Sequence, residues 1–198
     1  KVTIKLINFE NIDLYKQEKP IIKNFSLSIS PGEKINIYGK NGSGKTSLLK
    51  LIAGITQPTK GNIIFDEKLN INKDIFYIGH KYGLKEELSV KDNLNYILGF
   101  TQINNNVNML DELRFYGMEN YLDVQIKYLS HGQKKIISLI QLSLISNKVW
   151  ILDEPFTGLD KSIIDKFFEK INIHIKELGS LVIASHNPKD QFNNIKLC

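Results

Sequence analysis

The sequence is poor in cysteine and arginine and contains no long apolar run. Cys198 is the only cysteine among the 198 residues, so no disulfide can form between them, and this fits a reducing compartment. No uninterrupted apolar stretch approaches the roughly 18–20 residues of a membrane-spanning helix. We also find no basic and apolar leader with a small-residue cleavage site, and we therefore expect that the protein is not secreted.

Positive charge comes almost entirely from lysine, because Arg114 is the only arginine. Lys and Arg number 26 against 21 Asp and Glu, which gives a net charge of +5 and a pI near 9.1. An excess of this size suits a nucleotide-binding protein or one that lies near an anionic membrane surface. The lysines are scattered along the chain, and we therefore expect no nucleic-acid partner.

Short apolar segments alternate with helical patterns, which is typical of an α/β fold. The strands are predicted at residues 2–9, 25–30, 35–38, 61–66, 75–78, 149–152 and 181–184. The helices are predicted at residues 47–53, 90–98, 110–115, 133–145 and 161–178. The later strands are apolar throughout, which indicates a mostly parallel sheet covered on both faces. We expect a single domain over residues 1–198, with a helical region at roughly 86–147 inserted between two strands of the sheet.

A glycine-rich loop follows the predicted strand at 35–38. It consists of Gly39, Lys40, Asn41, Gly42, Ser43, Gly44, Lys45 and Thr46. The run matches the phosphate-binding pattern G-x-x-x-x-G-K-[ST], which chance would produce in roughly one chain of this length in a hundred. Backbone N–H groups of such a loop bind phosphate oxygens, Lys45 reaches the β- and γ-phosphates, and Thr46 offers its hydroxyl to Mg²⁺. The loop therefore predicts ATP and Mg²⁺ as ligands.

The apolar strand at 149–152 ends in two carboxylates, Asp153 and Glu154. Parallel strands bring their carboxyl ends to one edge of the sheet, where the phosphate loop should also lie. We expect Asp153 to hold Mg²⁺, directly or through water, and Glu154 to polarise the water that attacks the γ-phosphate. An apolar strand that ends in Asp-Glu is common, so this interpretation depends on the neighbouring phosphate loop.

Three further motifs, one before and two after the Asp153-Glu154 pair, complete an order of motifs along the chain that resembles ABC-type ATPases. The first is similar to the Leu-Ser-Gly-Gly-Gln signature of that family and consists of Leu129, Ser130, His131, Gly132 and Gln133. Residues 157–160, with the sequence Thr-Gly-Leu-Asp, resemble its D-loop, and His186 resembles its switch histidine. The resemblance implies a P-loop NTPase core with a mostly parallel sheet, an N-terminal antiparallel β-subdomain and an inserted helical subdomain.

The same resemblance implies a homodimer in which each ATP lies between the phosphate loop of one chain and the signature of the other. Ser130, Gly132 and Gln133 would then bind the γ-phosphate of the partner chain's nucleotide, helped by the N-terminal end of the following helix. His186 would hold the γ-phosphate and the attacking water. Without the other motifs, Ser130 would be interpreted as a helix N-cap and His186 as a surface histidine.

Two positions depart from the family pattern. His131 replaces a glycine of the signature, and its side chain could crowd the nucleotide of the partner. No glutamine follows the strand at 75–78, where the family places one that contacts Mg²⁺; Lys81 stands there instead, and His80 precedes it. Charged lysine cannot ligate Mg²⁺. Either His80 therefore takes the sensing role, or the ion is bound by Thr46, Asp153 and water.

The aromatic residue that stacks on adenine in the family is also displaced. Tyr15 is the only aromatic residue close to the expected place, although alignment by eye puts Lys16 there. Stacking on a base tolerates small shifts in position, so we predict Tyr15 as the residue that contacts the base.

Several stretches resemble one subfamily, the ATP-binding subunit of the haem exporter of system I cytochrome c maturation. They are the run Gly-His-Lys-Tyr-Gly-Leu-Lys at 79–85 with residues 88–94 beyond it, Trp-Ile-Leu-Asp-Glu-Pro-Phe-Thr at 150–157, and residues 185–188. This resemblance implies an integral membrane subunit as partner and an indirect connection to haem. It also implies a peripheral location on the cytoplasmic face of the inner membrane.

Two alternatives share the site chemistry. The chain could be the ATPase subunit of another small exporter, for example of lipoproteins or drugs. It could instead be a soluble ABC-type ATPase that acts on ribosomes or DNA. The soluble types have two ATPase domains in one chain or a long coiled coil, and this sequence shows neither.

Overall fold

The computed structural model describes residues 5–197, so residues 2–4 of the first predicted strand and Cys198 lie outside the described residues. Within that range the strands are β1 (Ile7–Lys16), β2 (Lys19–Ile29), β3 (Lys34–Tyr38), β4 (Lys60–Phe65), β5 (Ile75–Ile78), β6 (Val149–Asp153), β7 (Ser180–Ser185) and β8 (Asn193–Lys196). The helices are α1 (Lys45–Ile52), α2 (Ile71–Asp74), α3 (Val90–Leu98), α4 (Met109–Tyr116), α5 (His131–Leu144) and α6 (Lys161–Lys176). Two single 3₁₀ turns, at Glu119–Tyr121 and Ile126–Tyr128, precede α5.

Five strands form one parallel sheet in the order β5-β6-β7-β3-β8. Successive side chains of a strand point to opposite faces, and β6 follows this rule. Val149 and Ile151 pack in the cluster that contains α1, whereas Trp150 and Leu152 pack in the cluster that contains Phe167 of α6. Both faces are therefore covered, and the predicted mostly parallel α/β sheet is confirmed.

A second, antiparallel sheet has the order β2-β1-β4. Between the predicted strands at 2–9 and 25–30 the chain forms a tight hairpin, in which Lys16 pairs with Lys19. The turn residues Gln17 and Glu18 both have positive φ, as a two-residue hairpin turn of this kind requires. The antiparallel N-terminal sheet that the resemblance implied is present.

The segment between β5 and β6 contains α3, α4 and α5, which share a hydrophobic cluster of their own. Val90, Leu94 and Leu113 are fully buried against Ile137 and Ile140 of α5. Asparagine or serine caps start two of these helices: Ser89 accepts from Asp92 N, and Asn108 from Leu110 N. Over residues 5–197, no helix is long and apolar enough to cross a membrane.

Candidate nucleotide-binding site

The phosphate loop connects the carboxyl end of β3 to the start of α1. Gly42 and Gly44 adopt φ of 82° and 96°, a region that side chains rarely enter. At Gly44 a Cβ would also lie 2.6 Å from Cγ2 of Ile21, so glycine is required twice over at this position. The loop is thus wound tightly enough for its N–H groups to converge on an anion.

Lys45 is the first residue of α1 and is only 6% exposed. Its Nζ donates hydrogen bonds to the carbonyl oxygens of Gly39 (2.8 Å) and Lys40 (3.0 Å). An ammonium group has three N–H donors, so one remains for an anion within the loop. The charge is therefore held inside the loop and not at the end of a mobile side chain.

A cavity of about 410 Å³ opens at this loop. Its lining residues are Lys16, Ile21, Asn41, Gly42, Gly44, Lys45, Thr46, Ser47, His80 and Glu154. Two lysines make one side of the cavity positive, which suits a phosphate chain. Ile21, with Ile22 behind it, gives the loop an apolar neighbour.

Thr46 and Asp153 bring two oxygen donors together beside the loop. Thr46 Oγ1 donates a hydrogen bond to Asp153 Oδ2 at 2.7 Å, and Nε2 of His80 lies 3.4 Å from the same oxygen. Hydroxyl and carboxylate oxygens are the hard ligands that Mg²⁺ takes, usually together with water and substrate phosphates. Among residues 5–197 no group of three or more His, Cys, Asp or Glu could hold a metal. Two oxygen donors fit a Mg²⁺ ion whose remaining ligands are water and phosphate oxygens.

The edge of the sheet near Asp153 is electrostatically unusual. Asp153 is buried at the carboxyl end of β6, and Tyr77 lies close to it on β5. Burial, together with the negative charge of Asp153, raises the pKa of Tyr77 to about 12. Tyr77 is thus a neutral hydroxyl at physiological pH and adds no charge to the site.

Glu154 follows β6 in a left-handed conformation with φ of 50°. Such a conformation costs a residue other than glycine on the order of 1–3 kcal/mol and persists only where neighbours enforce it. Its backbone N–H donates to Ala184 O at 3.1 Å, and its Oε1 lies 3.0 Å from Nε2 of His186. The two predicted catalytic side chains are therefore in direct contact at the end of β6 and β7.

The signature residues lie elsewhere. Ser130 is the N-cap of α5: its Oγ accepts from Gln133 N at 3.2 Å, and its own N–H donates to Gln133 Oε1 at 2.8 Å. This capping box leaves Ser130 on the surface. None of Ser130, Gly132 and Gln133 lines the cavity at the phosphate loop. The chain thus carries two separate groups of predicted ATP-binding residues.

Two neighbouring motifs are fixed by local contacts. The ring of His131 turns toward Tyr82, whose hydroxyl lies 3.1 Å from Nε2, so its side chain has a partner within the chain. In the D-loop-like segment, Asp160 accepts a hydrogen bond from Ile163 N and caps α6. His131 is the first residue of α5 and Asp160 is the N-cap of α6, so both motifs lie at the start of a long helix.

The structure places Lys16, and not the predicted Tyr15, at the cavity. Adjacent residues of a strand face opposite sides, so a shift of one residue decides which side chain reaches the nucleotide. The backbone N–H of Tyr15 donates to Thr59 Oγ1, and its ring is not part of the cavity lining. The cavity lining thus gives Tyr15 no support as the residue that contacts the base, and that role stays a prediction.

Two further residues near the site were not predicted from the sequence. Ile21 follows a proline in a polar segment and gives no sequence signal of its own. Lys135 is a buried lysine on α5 whose Nζ reaches backbone oxygens next to Glu154. Its sequence signal, a charge beside the apolar Ile136 and Ile137, could have indicated a buried role.

Comparison with known proteins agrees with this geometry. The sequence profile of a family described as ABC transporter matches residues 22–157. A cytochrome c biogenesis ATP-binding export protein, CcmA, of Pseudomonas fluorescens is 34% identical over 173 residues, covering 84% of this chain and 82% of that protein. The protein of the same name in Legionella pneumophila is 31% identical over 188 residues, covering 91% and 92%.

Two solved structures have a similar fold. One, described as an ABC transporter ATP-binding protein from Pyrococcus furiosus, superposes with a TM-score of 0.80 at 26% identity and covers 96% of both chains. The other is a dimeric ATP-binding cassette in a post-hydrolysis state, bound to ADP and Pi. It has a TM-score of 0.77 and covers 91% of this chain and 88% of its own, and at 21% identity it supports the fold alone.

Proposed function

Because the chain belongs to the ABC transporter family and is an ATPase domain of that family, we propose that it is the ATP-hydrolysing subunit of a haem exporter complex for cytochrome c maturation. Similar proteins with 28–34% identity, over most of both chains, carry the name cytochrome c biogenesis ATP-binding export protein. The observation that carries the ATPase part of the proposal is the meeting of the phosphate loop, Asp153, Glu154 and His186 at one edge of the sheet. The haem-exporter part rests on the similarity to the cytochrome c biogenesis proteins.

ATP binding begins at the phosphate loop. Its N–H groups and the ammonium of Lys45 bind the phosphates, and we assign Lys16 and Ile21, which line the same cavity, to contact with the nucleoside. Thr46 and Asp153 are the residues that would hold Mg²⁺, which when bound supplies positive charge to the β- and γ-phosphates.

Hydrolysis uses the two residues at the end of β6 and β7. The carboxylate of Glu154 orients a water and accepts its proton as the water attacks the γ-phosphorus in line. The bond from the γ-phosphorus to the β–γ bridging oxygen breaks, and ADP and phosphate leave. His186 lies 3.0 Å from that carboxylate, and with ATP bound it would hold the γ-phosphate and the attacking water. The site therefore stabilises developing charge by position, with no covalent intermediate on the protein.

A second chain completes the site. Ser130, Gly132 and Gln133 lie outside this chain's own cavity, on an exposed helix N-terminus, and we assign them to the nucleotide of a partner copy. In this arrangement residues 1–198 act as one domain, in which the helical region at 86–147 carries the signature to the partner. The dimer would lie at the cytoplasmic face of the membrane, and its closure on ATP would drive a conformational change in an integral membrane subunit.

The connection to haem is indirect in this proposal. Each histidine already has a partner within the chain: His80 contacts Asp153, His131 contacts Tyr82, His174 contacts Ser180 O, and His186 contacts Glu154. Haem iron takes its axial ligands from residues such as histidine. Because each histidine already contacts another group of the chain, we propose that the chain supplies energy by ATP hydrolysis and does not itself bind haem.

Haem staining of c-type cytochromes tests the proposal. Cells depleted of this protein are complemented with wild type, with Glu154→Gln, or with Lys50→Ala, an exposed change on α1 that serves as the matched control. We expect cytochromes to be restored by wild type and Lys50→Ala and not by Glu154→Gln. Normal cytochromes in depleted cells would overturn the cytochrome assignment and favour another small exporter. Rescue by Glu154→Gln would show that ATP hydrolysis by this chain is not needed.

A further inference from the structure

Lys135 is a buried lysine that the proposed mechanism does not use. It lies on α5, five residues after the N-cap Ser130, and is 5% exposed. Its Nζ donates hydrogen bonds to two backbone oxygens, Glu154 O and Thr157 O, both at 2.6 Å. These bonds connect the signature helix to the segment that begins with the proposed catalytic base.

The energetics indicate that these bonds have a specific role. Burial lowers the pKa of Lys135, although the charges of Glu154 and Asp153 raise it again in part. An ammonium removed from water is costly unless its donors are satisfied, and neutral carbonyls alone compensate only partly. The lysine is therefore better explained by what its two hydrogen bonds hold in place.

What they hold is the strained backbone at Glu154. Its φ of 50° is disfavoured for a residue with a side chain. On one side of the residue, its N–H is bound to Ala184 O at 3.1 Å; on the other, its carbonyl oxygen accepts from Lys135. With both ends fixed, the carboxylate has a defined direction toward His186.

The other end of the connection is the signature. α5 is a continuous helix of 14 residues, so Ser130 and Lys135 are separated by about 7.5 Å of rigid helix axis. A shift at the start of this helix is therefore carried to Nζ of Lys135. The backbone at Gly158 also lies close by, 3.6 Å from where a Cβ of Gly132 would be.

We propose that Lys135 is a positioning residue that ties the signature helix to the backbone of Glu154. When Ser130 binds the phosphate of the partner's nucleotide, α5 is fixed, and Lys135 then fixes the catalytic carboxylate in this chain's own site. The nucleotide in the partner's site thereby controls the position of the catalytic carboxylate in this chain's own site. This inference rests on the proposed function, because it assigns Glu154 as the base.

The first test compares Lys135→Met with Lys134→Met in steady-state ATP hydrolysis. Methionine has a similar length but no donor, and the neighbouring Lys134 is a control that pairs with Glu86 at the surface. We expect Lys135→Met to lower kcat by about 10- to 100-fold, because small misplacements of reacting groups have effects of that size, at an unchanged KM for ATP. Lys134→Met should behave like wild type.

Two results would overturn the proposal. An unchanged kcat in Lys135→Met would remove the positioning role, and a parallel loss of ATP binding and kcat would indicate a merely structural one. Should Lys135→Met fail to fold, Lys135→Gln, which has a shorter side chain with an N–H donor, must lower kcat relative to wild type at unchanged KM. A wild-type kcat in that variant would likewise contradict the proposal. Failure of the proposed function is distinguishable, because Glu154→Gln would then hydrolyse ATP at the wild-type rate.

A second test addresses the connection to the signature. Ser130→Ala and Lys135→Met are combined, and kcat is measured at saturating ATP. If both act through the position of Glu154, the double variant loses less than the product of the two single losses, because the second change removes a connection already broken. Losses that multiply would contradict the coupling.

Discussion

The two parts of this chain that bind phosphate in the proposed mechanism are built in opposite ways. The phosphate loop holds a buried charge next to an open cavity: Lys45 is buried, and Glu154 lines the same cavity of about 410 Å³. The signature is an exposed helix N-terminus whose serine is engaged in its own capping box. In the proposed mechanism the loop binds ATP within one chain, whereas the exposed cap contributes only when a partner presents a nucleotide. The difference between the two regions is what a dimeric ATP site would require.

The largest effect should come from Glu154→Gln, which changes the phosphate-loop region without removing the residues that contact phosphate. Glutamine cannot accept the proton of the attacking water, so we expect kcat to fall about 10³-fold. ATP binding to the isolated chain, measured by calorimetry, should remain. Glu67→Gln, an exposed carboxylate between β4 and α2, is the matched control. A Glu154→Gln chain with normal turnover would remove Glu154 from the catalytic role.

Lys45→Ala should produce the next largest effect. It removes a buried charge that faces the phosphates, and charge-assisted hydrogen bonds of this kind contribute about 3 kcal/mol, or roughly 100-fold in affinity. Equilibrium binding of ATP measures this loss. Lys50→Ala on the exposed face of the same helix should bind ATP as wild type does. Equal affinities of the two variants would contradict the assignment of the phosphate loop.

Ser130→Asp separates the two roles of the signature serine. Aspartate is as good an N-cap as serine, so thermal stability should be kept, whereas Ser130→Ala should lose about 1 kcal/mol. The added negative charge would meet the partner's γ-phosphate, so ATP-driven dimerisation should be lost. ATP binding to the monomer should be unchanged in both variants. Normal dimerisation of Ser130→Asp would show that the signature does not approach a phosphate.

A substitution at His174 should affect neither the phosphate loop nor the signature. It stacks on Trp150 with ring centroids 3.8 Å apart, and burial lowers its pKa to about 4. The unfolded chain gains a proton on this histidine near pH 6.5, but the folded chain does not until about pH 4. Stability should therefore fall by about 3 kcal/mol as the pH drops through that window.

The measurement is urea unfolding at a series of pH values between 7 and 4. His174→Gln should show a flatter pH dependence than wild type and bind ATP normally at neutral pH. An equally steep dependence in the variant would assign the effect to other groups. Altered ATP binding would show that this end of the sheet and the nucleotide site are not independent.

The sequence predicts best what depends on short segments. The phosphate loop and the Asp153-Glu154 pair each follow from a local pattern, and the structure brings them together because parallel strands share an edge. The helix predicted at 133–145 begins two residues earlier, because Ser130 caps it. The predicted bounds of the strand at 75–78 and the helix at 90–98 agree with β5 and α3.

What the sequence does not predict depends on register and on distant partners. Lys16 and Tyr15 are interchangeable in a sequence pattern, but the pairing of β1 with β2 puts only Lys16 at the cavity. The edge strand β8 has a single apolar residue, Ile195, and forms because β3 supplies its hydrogen bonds. Lys135 acquires its role from carbonyls about 20 residues away.

Subunit complementation tests the central claim, that each ATP site is assembled from both halves across two chains. Lys45→Ala and Ser130→Asp are placed in separate chains, and each chain also carries Glu154→Gln so that ATP is not consumed. The mass of each variant alone and of the mixture is measured by sedimentation with saturating ATP. Each variant alone should be monomeric, and the mixture should contain dimers, because one complete site forms between an intact loop and an intact signature. A mixture that stays monomeric, while the Glu154→Gln chain alone dimerises, would contradict the account.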